Sequence, residues 1–279
     1  MSAPRAACRR AARGDFRIAE LHLKPKIRVV FFGFAATLAS SLAVAAGGGP
    51  DLALGRKVYE DNCAICHGLK GDGKGEATRH FATPPRDFTK GEYKLRSTDT
   101  GQLPTDADLI RSTVQGLPGT AMVPQDHLTE AEVRAVVAYI KTLSPRFATA
   151  STPEPISIPS APPRTPEAIA RGRRVYEKAG CVECHGPEAR GDGPSAPDLS
   201  VRPTDLTGRP LKSGPTPRDI FRSILTGLDG TPMPAYFLTL ENEEIWDLAY
   251  YIDSLGGPPQ MTEDEQMGRH VERMHQRRR

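Results

Sequence analysis

Two short stretches of the chain bring a pair of thiols and an imidazole together. Cys63-Ala64-Ile65-Cys66-His67 and Cys181-Val182-Glu183-Cys184-His185 share the spacing Cys-x-x-Cys-His. Thiolates are nucleophiles and soft metal ligands, and imidazole is a ligand or a proton carrier. The spacing serves three chemistries: a zinc clip, thiol–disulfide exchange, and covalent attachment of a c-type haem. Zinc needs four ligands, normally from two pairs held close together. Here the two pairs lie far apart in the chain, each with its own His. Exchange of the thioredoxin kind calls for a βαβ pattern, which the surrounding sequence lacks. Haem attachment uses every residue of the motif. Cys63 and Cys66 add to the vinyl groups of one haem, Cys181 and Cys184 to those of a second, and His67 and His185 are the proximal iron ligands. The fifth cysteine, Cys8, has no evident mate, so a disulfide framework fits poorly.

The elements around the motifs occur twice. GRKVYEDNCAICHG (55–68) matches GRRVYEKAGCVECHG (172–186), with one residue inserted. Gly71-Asp72-Gly73 is paired with Gly191-Asp192-Gly193, Pro85 to Thr89 with Pro203 to Thr207, and STVQGLPGTAM (112–122) with SILTGLDGTPM (223–233). VRAVVAYIKTL (133–143) then pairs with IWDLAYYIDSL (245–255). Blocks kept in order mean that a whole domain is duplicated. Each copy reads as helix and loop. Asp51 caps a first helix in copy one, and Thr165-Pro166-Glu167 opens its counterpart in copy two. Thr129-Glu130-Ala131-Glu132 is a capping box ahead of an apolar face at helical spacing: Val133, Val136, Val137, Ile140 and Leu143. The matching face is Ile245, Leu248, Ala249, Ile252 and Leu255, closed by Gly256-Gly257. Aromatics are only 6% of the chain, which is thin for two independent cores; a large apolar cofactor in each would supply the deficit.

A haem iron needs a sixth ligand. Met122 and Met233 end matching Gly-x-x-Gly-Thr-x-Met loops, and a thioether there gives His/Met ligation, which raises the reduction potential. The ordinary fate of Met is to fill gaps in a core; its recurrence at one repeat position favours ligation. His80 and His127 are rivals in copy one, but copy two has no histidine between His185 and His270, so both read as surface residues.

The formal charge of +3 misleads. Residues 1–28 carry eight Arg/Lys against Asp15 and Glu20, and setting them aside leaves the rest of the chain at −3. No nucleic-acid partner is indicated. Residues 29–46 are uncharged and apolar, and Ala43-Val44-Ala45 fits a small-x-small cleavage site. Residues 1–46 therefore read as a cleaved signal peptide, or as an uncleaved N-terminal anchor that would give membrane contact; 18 apolar residues are the lower limit for a span. A start near Leu21 or Leu23 would give a more ordinary leader and remove Cys8. In either case the remainder is exported, and the expected location is the periplasm.

Each copy resembles a class I cytochrome c domain: a first helix, Cys-x-x-Cys-His-Gly, Gly-Asp-Gly, a distal Met loop and a closing helix with Tyr-Ile-x-x-Leu. The whole is similar to di-haem periplasmic cytochromes c. The resemblance implies an all-α fold of two tandem cytochrome c-like helical domains, with two covalently bound haem c groups, each with one ring edge exposed; the Pro-rich linker that joins them is read from composition and departs from the compact two-domain kind. Domain 1 spans 47–146, the linker 147–165, domain 2 166–258 and a charged tail 259–279. The resemblance also implies crossed first and last helices, with Gly55, Tyr59 and Tyr139 at one crossing and Gly172, Tyr176 and Tyr251 at the other. It points to Pro85 and Pro203 as donors of the backbone carbonyl that orients each proximal His. The long linker argues against a fixed haem–haem geometry. Arg86, Lys94 and Arg96 are candidate partners for haem propionates, against the commoner fate of solvated charge. In the tail, Met267, Val271 and Met274 lie at helical spacing; the plain reading is a frayed end, the alternative a docking segment for a partner or an acidic membrane surface.

The function implied is transfer of single electrons between a redox protein donor and acceptor, such as a membrane-bound respiratory complex, with no substrate transformed and no catalytic residues. Two other readings stand beside it. One is a di-haem enzyme acting on a small substrate, which would need an open distal position. The other is a haem subunit of a larger oxidoreductase complex.

Overall fold

The computed structural model describes residues 49–151, 153–257 and 261–277. The leader and Cys8 lie outside them. Among the described residues there are ten α-helices, three short 3₁₀ turns and no strand beyond a single bridge between Leu211 and Gly214. In chain order the helices are α1 (Leu52–Asn62), α2 (Ala64–His67), α3 (Asp106–Gln115), α4 (Glu130–Thr142), α5 (Arg146–Thr149), α6 (Pro166–Lys178), α7 (Cys181–His185), α8 (Pro217–Thr226), α9 (Asn242–Ser254) and α10 (Glu263–Gln276). The first repeat is built from α1 to α4, the second from α6 to α9. No helix of the described residues is long and apolar enough to cross a membrane.

Local chemistry sets the helix starts. The Asp51 carboxylate accepts from the Ala53 and Leu54 amides at 3.0 Å each, and the Thr129 hydroxyl accepts from the Glu132 amide while Glu132 accepts from the Thr129 amide. Thr165 caps α6, with Pro166 at its first position. Such caps satisfy amides that no preceding turn can reach.

Each repeat is closed by one helix crossing. In the first, α1 lies against α4 so tightly that a Cβ on Gly55 would stand 2.1 Å from the Ala135 carbonyl oxygen. In the second, a Cβ on Gly172 of α6 would stand 2.0 Å from the Asp247 carbonyl oxygen on α9. Only glycine permits either approach. Beside each crossing a tyrosine pair fills the gap: Tyr59 and Tyr139 at 5.3 Å between centroids, Tyr176 and Tyr251 at 5.5 Å. Val58, Val136, Val137 and Ile140 complete the first core, and Val175, Phe221, Ile245, Trp246 and Leu248 the second.

Two expectations are corrected. The repeats are not loosely tethered: residues 49 onward cluster as one body. Arg96, its side chain buried, donates to the Thr226 carbonyl at 3.2 Å and pairs with Asp229 at 3.0 Å across the repeat boundary. The Arg111 guanidinium donates to the Ser213 carbonyl at 2.9 Å, and the Gly101 amide to Asp229 at 3.1 Å. The Pro-rich segment is itself pinned. The Ile156 amide donates to the Ser97 carbonyl, the Tyr250 hydroxyl donates to the Pro162 carbonyl, and Ile158 packs on the second core.

The tail is not frayed either. Residues 263–276 form α10, capped by Thr262 and Glu265, and the helix returns to the first repeat. Asp264 accepts from the amides of Ala82 and Thr83 at 3.0 and 3.1 Å, and the His275 ring nitrogen Nε2 donates to the Asp61 carbonyl at 2.7 Å. A Cβ on Gly268 would stand 2.3 Å from the Ala121 carbonyl oxygen. The helical spacing of Met267, Val271 and Met274 was the visible signal; the surface that α10 meets is assembled by the fold.

Candidate haem-binding clefts

Each Cys-x-x-Cys-His motif forms a short helix, α2 or α7, running on from the first helix of its repeat. A tyrosine hydroxyl fixes its end: Tyr59 donates to the Gly68 carbonyl and Tyr176 to the Gly186 carbonyl, both at 2.7 Å. The imidazole that precedes each glycine is then aimed by the main chain. His67 Nδ1 lies 3.0 Å from the Arg86 carbonyl oxygen, and His185 Nδ1 lies 2.9 Å from that of Thr204. A carbonyl can only accept, so Nδ1 carries the proton and Nε2 keeps its lone pair for a metal. Burial pushes the His67 imidazole down to about 4, against the pull of its bond to Arg86, and burial lowers His185 too. Both rings are therefore neutral at neutral pH. The acceptors are Arg86 and Thr204, one residue beyond the Pro85 and Pro203 expected. The carbonyl of each proline instead crosses a glycine: a Cβ on Gly73 would stand 2.8 Å from the Pro85 oxygen, and one on Gly191 2.5 Å from the Pro203 oxygen.

That contact also corrects the repeat register. The Gly73 amide donates to the His67 carbonyl and the Gly191 amide to that of His185; the Gly75 and Gly193 amides donate to the carbonyls of Cys66 and Cys184. Gly73-Lys74-Gly75 is thus the counterpart of Gly191-Asp192-Gly193, and the two Gly-Asp-Gly triplets do not superpose. Gly71 corresponds instead to Ala189. Their carbonyls accept from the amides of Phe88 and Leu206 at 2.7 Å each, and both residues have positive φ, 74° and 58°. For alanine that conformation is strained.

Two clefts of matching size open beside these motifs, about 1210 Å³ in the first repeat and about 1190 Å³ in the second with the open space at their mouths included. The first is lined by Cys63, Cys66, His67 and Met122, with Phe88 and Ile140 among its apolar walls. The second is lined by Cys181, Cys184, His185 and Met233, with Leu206 and Ile252. The fold thus brings all eight sequence-predicted residues into two matching sets. Each Met sits on a loop tied back on itself: the Leu117 amide donates to the Met122 carbonyl, and the Leu228 amide to that of Met233. Thr120 and Thr231 hydroxyls accept from the amides of Met122 and Met233 at 3.2 Å. His80 and His127 are exposed and line neither cleft.

The donor set fits a covalently held haem. Two thiols and a neutral imidazole face an apolar slot with a thioether on its wall. It does not fit the rival chemistries. Among the described residues no three His, Cys, Asp or Glu side chains converge as a metal cluster. Burial raises Cys66 and Cys181 to about 11 each, the reverse of what an exchanging thiol needs.

The clefts differ in their surroundings. His67 stacks on Phe88 at 4.4 Å between ring centroids, where the second repeat has Leu206. The first cleft is partly walled by α10 through Gly268, Val271, Glu272 and His275; sequence reasoning missed these, since nothing local links the tail to Cys63. Lys94 lines both clefts, and Lys212 lines the second. Their signal was a common offset: each follows the paired Asp87 or Asp205 at the same distance. Arg96, weighed as a propionate partner, lines neither cleft and is committed to Asp229.

Tandem helical domains, each with a Cys-x-x-Cys-His cleft, define a c-type cytochrome. Residues 52–144 and 169–256 match the cytochrome c family, and the chain belongs to that family, whose members carry covalently bound haem c. It is similar to the cbb3-type cytochrome c oxidase subunit CcoP of Azospirillum brasilense, 29% identical over 212 residues, covering 74% of this chain and 62% of that protein. The FixP subunit of the cbb3-type oxidase of Bradyrhizobium sp. (strain ORS 278) is 27% identical over 215 residues, with 74% and 61% covered. The chain thus spans about three-fifths of the length of these relatives. Among solved structures it is similar to a chain of the Kuenenia stuttgartiensis reducing HAO-like protein complex Kustc0457/Kustc0458. That match has a TM-score of 0.71 and 38% identity, covering 73% of this chain and 96% of that one.

Proposed function

We propose that the protein is an exported di-haem c-type cytochrome that passes single electrons between redox partners of the periplasm or its membrane. The observation that carries this reading is the matched content of the two clefts: two cysteines, a histidine and a methionine in each. Cys63 and Cys66 would hold one haem and Cys181 and Cys184 the other, with His67 and Met122, and His185 and Met233, as axial ligands. Bound haem c supplies a one-electron ferric/ferrous couple. The chain's own residues do the rest. Main-chain carbonyls aim the imidazoles, the tied loops hold the thioethers in place, and the apolar walls keep water from the iron, which favours the less charged ferrous form. The leader at 1–46 supports export. The oxidase subunits and the HAO-like complex among its relatives support a partner inside a larger oxidoreductase assembly, with this chain as its electron-transfer component.

The test is a haem count per chain with optical spectra of the reduced protein before and after carbon monoxide. Two haems and an unchanged spectrum fit closed His/Met sites and electron transfer. Binding at either haem would reveal an open position and replace this reading with that of a di-haem enzyme.

A further inference from the structure

Lys94 belongs to the first repeat, yet it reaches the second. It lines the first cleft with Arg86 and the second with Lys212, and its neighbour Leu95 also enters the second cleft. Lys212, at the equivalent repeat position, lines only its own cleft. Lys94 is half-buried, and among the described residues neither it nor Lys212 has a carboxylate within ion-pair distance. Burial brings Lys94 down to about 8, helped by the charges that act on it, those of Arg86 and Lys212, both cations. Glu92, Asp87 and Asp229 act on Arg86, and Asp264 on Lys212. A cation lodged among cations is unfavourable unless an anion completes the site. Haem c carries two propionate carboxylates, and two haems would bring four to clefts that meet at this side chain.

We propose that Lys94 is the cation shared by the propionates of both haems, so that one residue of the first repeat sets the charge around both redox centres. The inference rests on the di-haem reading above. A positive charge near a haem favours the ferrous state, because reduction adds a negative charge. Removing a shared cation lowers both potentials; removing a private one lowers one.

The experiment is a potentiometric titration of the full-length, haem-loaded protein. Met122→His and Met233→His variants assign the two potentials by shifting one each. Lys94→Met is expected to lower the reduced-to-oxidised ratio of both haems at fixed potential by about tenfold, equivalent to about 59 mV for a one-electron couple. Lys212→Met is expected to lower only the second haem, and Lys94→Arg to restore both. If Lys94→Met does not assemble, Lys94→Gln gives the same reading. Two haems with one potential moved, or neither, overturns the inference and leaves the di-haem reading intact. A loss of thermal stability with both potentials unmoved also overturns it, because the role is then structural. Fewer than two haems in the unaltered chain overturns both.

Discussion

His67 Nδ1 and the Arg86 carbonyl oxygen stand 3.0 Å apart, and 19 residues of chain separate them; His185 and Thr204 repeat the arrangement at 2.9 Å over the same separation. The acceptor is main chain in both cases. The side chains of the acceptor residues are therefore free to differ, and they do: a guanidinium in one repeat, a hydroxyl in the other. What must be kept is the path of the segment that carries the carbonyl, and Gly73 and Gly191 keep it.

Thr204→Ala should leave the second site's haem content and melting temperature nearly unchanged. Gly191→Ala should not. Its Cβ would press on the Pro203 carbonyl at 2.5 Å and φ is 78°, so strain and displacement together should cost about 2–4 kcal/mol. Haem stoichiometry and thermal unfolding of the two variants check this. Equal losses would show that the Thr204 hydroxyl matters as much as the carbonyl path.

Arg96 and Asp229 hold the repeats together. Burial lowers the Arg96 guanidinium and raises the Asp229 carboxyl, each opposed by the other's charge, as expected of a pair that has lost much of its water. Arg96→Ala leaves the Asp229 carboxylate without its cation, though Gly101 still donates to it and the Thr100 hydroxyl still donates to the Thr226 carbonyl, and should cost about 3 kcal/mol. Denaturant unfolding should show the loss, and proteolysis between residues 150 and 165 should quicken as the repeats part. Unfolding as a single unchanged transition would mean that the boundary contacts contribute little.

Gly268 lets α10 lie on the Met122 loop: a Cβ added there would be only 2.3 Å from the Ala121 oxygen. Gly268→Leu should lift α10 from the first cleft while leaving the second untouched. Trypsin cleavage after Arg269 and Arg273 should speed up by about tenfold if docking contributes about 1.4 kcal/mol. An unchanged cleavage rate would mean that α10 is held by its ends alone.

Glu272 makes that docking depend on pH. Burial raises its carboxyl above the usual 4.5, and Asp126 pushes the same way; His127, Arg269 and a hydrogen bond from Gln125 oppose, while Cys66 lies within reach of its charge. A folded pKa above the unfolded one means that the docked helix binds the extra proton. Its stabilising share is full below the unfolded value and lost as pH rises through the folded one. Amide exchange in α10, corrected for intrinsic rate, should therefore be slower at pH 5 than at pH 7.5. Glu272→Gln should remove the difference and keep the slow value at both.

The sequence alone determined the duplication, the two Cys-x-x-Cys-His motifs, the paired Met loops and the caps; the glycine–tyrosine crossings came only with the family resemblance. The former are written in neighbouring residues or recur at one repeat position, and their causes are short-ranged: helical period and amide satisfaction. The Gly-Asp-Gly pairing shows the limit. Letters matched, but the hydrogen bonds from Gly73 and Gly191 to the histidine carbonyls follow distance from the motif, and they put Ala189 where Gly71 stands. Only the tertiary structure decided that Arg96 is spent on Asp229, that Lys94 faces two clefts, and that α10 folds back over the first. Such contacts join residues more than a hundred positions apart, and the surfaces that meet exist only after each repeat has closed on its own core.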